Sequence, residues 1–161
     1  MRKEIALLFV LVFSCALPSL AQDKPTIVVQ PFTLASGVSW PYDMKMLEMQ
    51  TTAELHSQDA KKYNIVSETP ATATPYLSLR VEVLEWHPGN AAKRALVGMG
   101  TGRESAKIRF ELTDQNGKRV FEHEDTVRTE FYASAYSSSV GQLAHPLADK
   151  IGHRIAEAKI E

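Results

Sequence analysis

Lys93, Arg94 and Arg103 flank Gly98, Gly100 and Gly102, three glycines at every second position in a segment running from His87 to Ser105. Glycines so placed free the backbone to turn sharply or to lie close against a ligand, and the bases supply positive charge. A phosphate cradle is the first chemistry this suggests. The spacing excludes the known forms of it. No Gly-Lys-Ser or Gly-Lys-Thr follows at P-loop distance, and the residues after Gly102 alternate like a strand where a dinucleotide fingerprint requires a helix. The segment reads instead as a recognition loop, and Ala95, Leu96, Val97 and Met99 give it an apolar component that exposure to water would not favour.

Other side chains of the right types are scattered or self-explanatory. His145, Asp149 and His153 are four apart, a usable metal-ligand spacing on a helix. The apolar stripe of that helix passes through Leu147 and Ile151, about 200° away, which turns the triplet toward solvent. No metal is expected there. His56, His87 and His123 stand on different elements. Ser134, Ser137, Ser138 and Ser139 lack a Gly-x-Ser-x-Gly elbow, and Ser105 has no base beside it. Glu122, His123, Glu124 and Asp125 read as alternating charge on an exposed strand, a common guard against strand addition. No catalytic residue and no cofactor are implied.

The elements that would hold the loop follow from periodicity. Thr26 to Val29 is a β-branched run suited to a central strand, closed by Pro31. Met44, Leu47, Thr51 and Leu55 recur at helical spacing, predicting an amphipathic helix over Tyr42 to Lys62 with Pro41 near its start. Tyr63 to Val66 suits a second short strand. Leu77, Leu79, Val81 and Val83 alternate with Ser78, Arg80 and Glu82 on a strand reaching Trp86, and Ala106, Ile108, Phe110 and Leu112 alternate with Lys107, Arg109 and Glu111 on the next. Asp114-Gln115-Asn116-Gly117 supplies a tight turn into a third strand, Arg119 to Val127. Arg128 to Ser139 has no firm period. Val140, Leu143, Leu147, Ile151 and Ile155 mark a closing amphipathic helix, with Pro146 as a possible true start. The pattern is an α+β fold: a mixed, largely antiparallel sheet with two amphipathic helices on one face.

The N-terminal residues indicate where the protein works. Arg2 and Lys3 precede an unbroken apolar run, Ile5 to Phe13, and Ser19-Leu20-Ala21 ends the segment with small residues at the two positions a signal peptidase reads. A bilayer core of about 30 Å needs about 20 apolar residues, so the run is a signal peptide and not a span. Residues 1–21 are assigned to the signal and 22–161 to a single domain. The one cysteine, Cys15, follows Val12-Phe13-Ser14, a partial match to a lipid-attachment signal. Cleavage after Ala21 removes it, whereas lipid processing would make it an acylated first residue at the outer membrane. Cleavage leaves a chain without cysteine and so without disulfides or zinc-thiolate sites. With 18 Lys and Arg against 19 Asp and Glu, the composition offers no sequence-wide attraction to nucleic acid.

Pro88-Gly89-Asn90, Lys93-Arg94, Val97-Gly98-x-Gly100-x-Gly102 and the strand ending Leu112-Thr113-Asp114-x-x-Gly117-Lys118 resemble the bacterial envelope family known as the domain of unknown function DUF4410. The resemblance is specific from about Trp86 to Val127 and implies exported proteins, often lipoproteins, with no established activity or cofactor. More distantly, the order of elements is similar to the periplasmic α/β domains of curli-secretion and Tol-type proteins, which act through protein contacts. The expectation is therefore a non-enzymatic protein-interaction module, periplasmic or secreted, meeting envelope proteins through Lys93, Arg94, Gly98, Gly100, Gly102 and Arg103. The alternative is a periplasmic binding protein for a small anionic or lipidic ligand that uses the same residues.

Overall fold

The computed structural model describes residues 24–71, 74–90, 102–129 and 139–158. Its strands are β1 (Thr26–Val29), β2 (Thr33–Leu34), β3 (Asn64–Val66), β4 (Tyr76–His87), β5 (Ser105–Thr113) and β6 (Arg119–Arg128), and its helices are α1 (Met44–Asp59) and α2 (Ser139–Glu157). The sheet runs β3-β1-β4-β5-β6, with β2 paired to β4 beyond the end of β1. β1 is interior, as its β-branched run predicts, and all four of its residues are buried. It pairs in parallel with β3 and β4, and β2 pairs in parallel with β4, while the long β4, β5 and β6 pair antiparallel. The sheet is thus mixed: antiparallel along its longest strands, parallel where the short strands join.

The alternating rows form the core as expected. Leu79, Val81, Val83, Ile108, Phe110 and Leu112 are at most 1% exposed beneath the two helices. Between Val83 and Glu85 the register of β4 against β5 shifts, so Leu84 is an extra residue. Beyond this bulge Trp86 pairs with the buried Ala106 and shares the helix-side face, although strict alternation from Val83 would send it outward. The turn into β6 forms where Asn-Gly predicts it. Gly117 takes φ 76°, and Asp114 Oδ1 accepts the N–H groups of Asn116 and Lys118, each at 2.9 Å.

Asp43 caps α1, its Oδ1 accepting the N–H of Lys45 at 2.8 Å and of Met46 at 3.4 Å. The helix is therefore shorter than the predicted Tyr42 to Lys62, and Pro41 lies before the cap. Its buried stripe is Leu47, Thr51, Leu55 and Asp59. Pro146 does not start α2 but lies inside it. An interior proline costs about 3 kcal/mol. Burial of Val140 and Leu143 upstream, at about 1.5–3 kcal/mol each, offsets that and carries the helix back to Ser139. The helices touch at Gly152, where a Cβ would overlap Oδ2 of Asp59 and lie 3.2 Å from its Cγ. Two-residue β2 carries too short a pattern to be read from sequence.

Candidate functional site

At one end of the sheet the finish of β4, the start of β5, the finish of β6 and the approach to α1 converge. Glu104 ties them together. Its Oε2 accepts from the Tyr42 hydroxyl and its Oε1 from Trp86 Nε1, both at 2.7 Å. Its backbone carbonyl accepts the N–H of Thr129 at 3.0 Å. Trp40, Tyr42 and Trp86 pack edge to face, with centroids 5.4 to 6.5 Å apart and interplanar angles of 76° to 87°. The cluster braces the end of β4 against the approach to α1 and the residue before β5.

The candidate residues divide at the loop's neck. The N–H of Asn90 donates to the carbonyl of Gly102 at 2.8 Å, closing the chain on itself before β5. Gly102 has φ 68°, a left-handed conformation that favours glycine and explains that residue type here. Arg103 is half-buried, and its Nη1 donates to the carbonyl of Thr129 at 3.1 Å. One role of Arg103 is therefore structural: it fastens the loop to the start of the Arg128 to Ser139 stretch. Lys93, Arg94, Gly98 and Gly100 lie outside the described residues, as do Ser134, Ser137 and Ser138.

The sheet face without helices carries a charge lattice. Arg109 contacts Glu82 at 3.2 Å, Glu122 at 3.5 Å and Glu124 at 2.6 Å. Lys107 meets Glu124 at 2.9 Å, and Arg80 and Arg119 bracket Glu111 at 3.6 and 3.8 Å. Hydrogen bonds from Lys107 and then Arg109 hold the Glu124 carboxyl below the usual carboxylate range. A shallow concavity of about 580 Å³ lies over this face, lined by equal numbers of arginines and glutamates. Cross-strand partners already match these charges, so the lattice suits a solvated surface.

Two sequence expectations change here. Glu122 and Glu124 lie on that open face, but Asp125 is not an exposed guard. It faces α2 with its side chain 16% exposed, and Lys150 Nζ donates to both of its oxygens at 3.0 and 2.9 Å. Arg154 stands 3.8 Å away. Burial pushes the Asp125 carboxyl upward, but hydrogen bonds from Lys150 and the Thr126 N–H, with the charges of Lys150 and Arg154, outweigh it and hold the group below its ordinary range. His123 shares that face, with Phe110 at 5.7 Å and Phe121 stacked at 6.3 Å. His145, Asp149 and His153 are all exposed, with His145 against Glu54 and His153 against Glu157. Among the described residues no cluster of three or more metal-ligating side chains occurs.

The profile described as a domain of unknown function, DUF4410, matches residues 43–129, from the cap of α1 through β6. The chain belongs to this family. The match begins well before Trp86, where the resemblance in sequence becomes specific, and takes in all of α1. A search of curated proteins finds no match. Among solved structures, an uncharacterised protein superposes with a TM-score of 0.54 at 15% identity, covering 81% of this chain and 92% of its own. The hypothetical protein CT253 from Chlamydia trachomatis gives 0.54 at 14% identity, over 82% of this chain and 95% of that one. Protein XCC0632 from Xanthomonas campestris, of the DUF330 family, gives 0.53 at 11%, over 88% and 89%. At such identities the likeness is one of fold alone.

Proposed function

We propose that this DUF4410 member is an exported, non-enzymatic interaction module that recognises an envelope protein through the loop between β4 and β5. The observation that carries the reading is the neck. Asn90 closes on Gly102, and Glu104 fixes Tyr42 and Trp86 beside the ends of a segment whose sequence combines Lys93, Arg94, three alternate glycines and an apolar run. Roots held this way reduce the ordering that binding must impose on the loop. Export rests on the basic, apolar and small-residue order of residues 1–21, with the domain delivered to the periplasm or beyond, or retained at the outer membrane if Cys15 is acylated.

Site-directed photocrosslinking in cells tests this. A photoreactive residue at Leu96 or Met99 is expected to give an adduct of discrete protein mass, weakened by Lys93→Ala with Arg94→Ala. The same probe at Gln115, at the other end of the sheet, is expected to give none. Adducts from Gln115 alone would place the contact surface elsewhere. A co-purifying small molecule in native mass spectrometry, with no protein adduct from the loop, would replace the protein partner by a ligand.

A further inference from the structure

The end of the molecule opposite the neck carries a different surface, and the inference from it does not depend on the loop. Because β1, β3 and β4 run parallel, their starting residues lie together, and the β5–β6 turn joins them. A groove of about 410 Å³ opens there, lined by Lys24, Pro25, Pro75, Tyr76, Leu77 and Gln115 among others. Lys24 lines it, and three further lysines lie on the neighbouring segments. Lys24 Nζ donates to the carbonyl of Ala60 at 2.8 Å, which brings the end of α1 with Lys61 and Lys62 beside the groove. Lys118 closes the turn on the other side. Lys24, Lys61, Lys62 and Lys118 are all exposed.

Two carboxylates stand among them: Asp59 is buried and paired to Lys62 at 3.2 Å, and Asp114, which lines the groove, accepts the N–H groups of Asn116 and Lys118, so the four lysines outnumber the acidic groups two to one. Arg119, also near the turn, is turned toward Glu111 and Glu122. The mature chain expected from cleavage after Ala21 enters the fold at this end, through Lys24. No helix among the described residues is long and apolar enough to cross a membrane, so contact with lipid here would be peripheral.

We infer that this end docks on an anionic lipid surface, the lysines meeting headgroup charge while Pro75 and Tyr76 border the interface. Lysines near such a surface each contribute about fivefold to partitioning, and salt screens the effect over about 8 Å. Clustered lysines and a proline- and tyrosine-lined groove match that chemistry on two counts.

The test is vesicle co-sedimentation of the protein purified from the envelope fraction of its expression host. Vesicles of phosphatidylcholine with roughly a third phosphatidylglycerol are compared with phosphatidylcholine alone at low salt. Binding to the anionic vesicles alone is expected, with Lys61→Gln/Lys118→Gln lowering it about 25-fold. Lys45→Gln/Arg128→Gln, which removes equal charge at the opposite end, should change it less than about threefold. An environment-sensitive dye at Gln115→Cys is expected to shift to the blue on binding, and one at Asn90→Cys to remain unchanged. Equal losses from both double variants, equal binding to neutral vesicles, no binding at all, or a blue shift at residue 90 would each overturn the docking surface. None of these outcomes touches the crosslinking result for the loop.

Discussion

At Gly152 the space a side chain would need is taken by the Asp59 carboxylate. Gly152→Ala would drive a methyl group into the Asp59 carboxylate, which pairs with Lys62, while the Asp59 backbone carbonyl accepts the N–H groups of Lys62 and Tyr63. The expected loss is about 1–3 kcal/mol in urea unfolding. Adding Asp59→Ala should recover part of it, because the second change removes the obstacle. Phe110, fully buried, behaves differently: Phe110→Ala is expected to cost about 3–5 kcal/mol, while neighbouring Arg109→Ala, on the solvated lattice, lowers the melting temperature far less. Equal shifts would mean the face of β5 is misassigned. The Phe110 row is legible in sequence because a strand's period of two repeats four times in succession. The Gly152–Asp59 contact is not, since no local pattern relates a glycine on one helix to an aspartate on another. The same holds for Glu104, whose partner Tyr42 is 62 positions away.

The third strand of the antiparallel set and the last helix are joined electrostatically. Asp125 on β6 is held below its ordinary range by Lys150, Thr126 and Arg154 against the opposing effect of burial. A depressed carboxylate contributes stability above its unfolded value of about 3.9, and that contribution disappears as pH falls through the lower folded value. Between those two values the unfolded chain binds the extra proton, so stability rises with pH. Calorimetry from pH 5 down to pH 2 is expected to show a steeper loss of melting temperature for the parent than for Asp125→Asn, whose curve starts lower. Parallel curves would remove Asp125 from the acid response. Sequence revealed the type and order of every long element because each buries a face of regular period. It did not reveal the bulge at Leu84, which inverts parity for Trp86, and it left the start of α2 open between Val140 and Pro146, a choice that burial of Val140 and Leu143 decides for the earlier position. The glycine loop was singled out by length and composition, but its bracing could not be, because the brace comes from three separate segments.

The whole molecule has two unlike ends joined by one core, which draws on both helices and on five of the six strands. The braced neck and its loop stand at one end; the lysines and the chain's entry stand at the other. The export reading carries its own expectation: intact mass from an envelope fraction should begin at Gln22, whereas an acylated species beginning at Cys15 would replace cleavage with a tether. The strand that connects the ends is β4, from Tyr76 beside the groove to His87 at the neck. Its 12 residues, at about 3.3 Å each, span roughly 40 Å. A rigid ruler of that length fixes a stand-off height. A domain seated on lipid by its lysine end would hold its neck, where β4 ends at His87, about 40 Å from the headgroups, beyond the electrostatic reach of the bilayer. Partners would then be selected by elevation as well as by chemistry, favouring those whose matching surface sits at that altitude over those lying flat on the membrane.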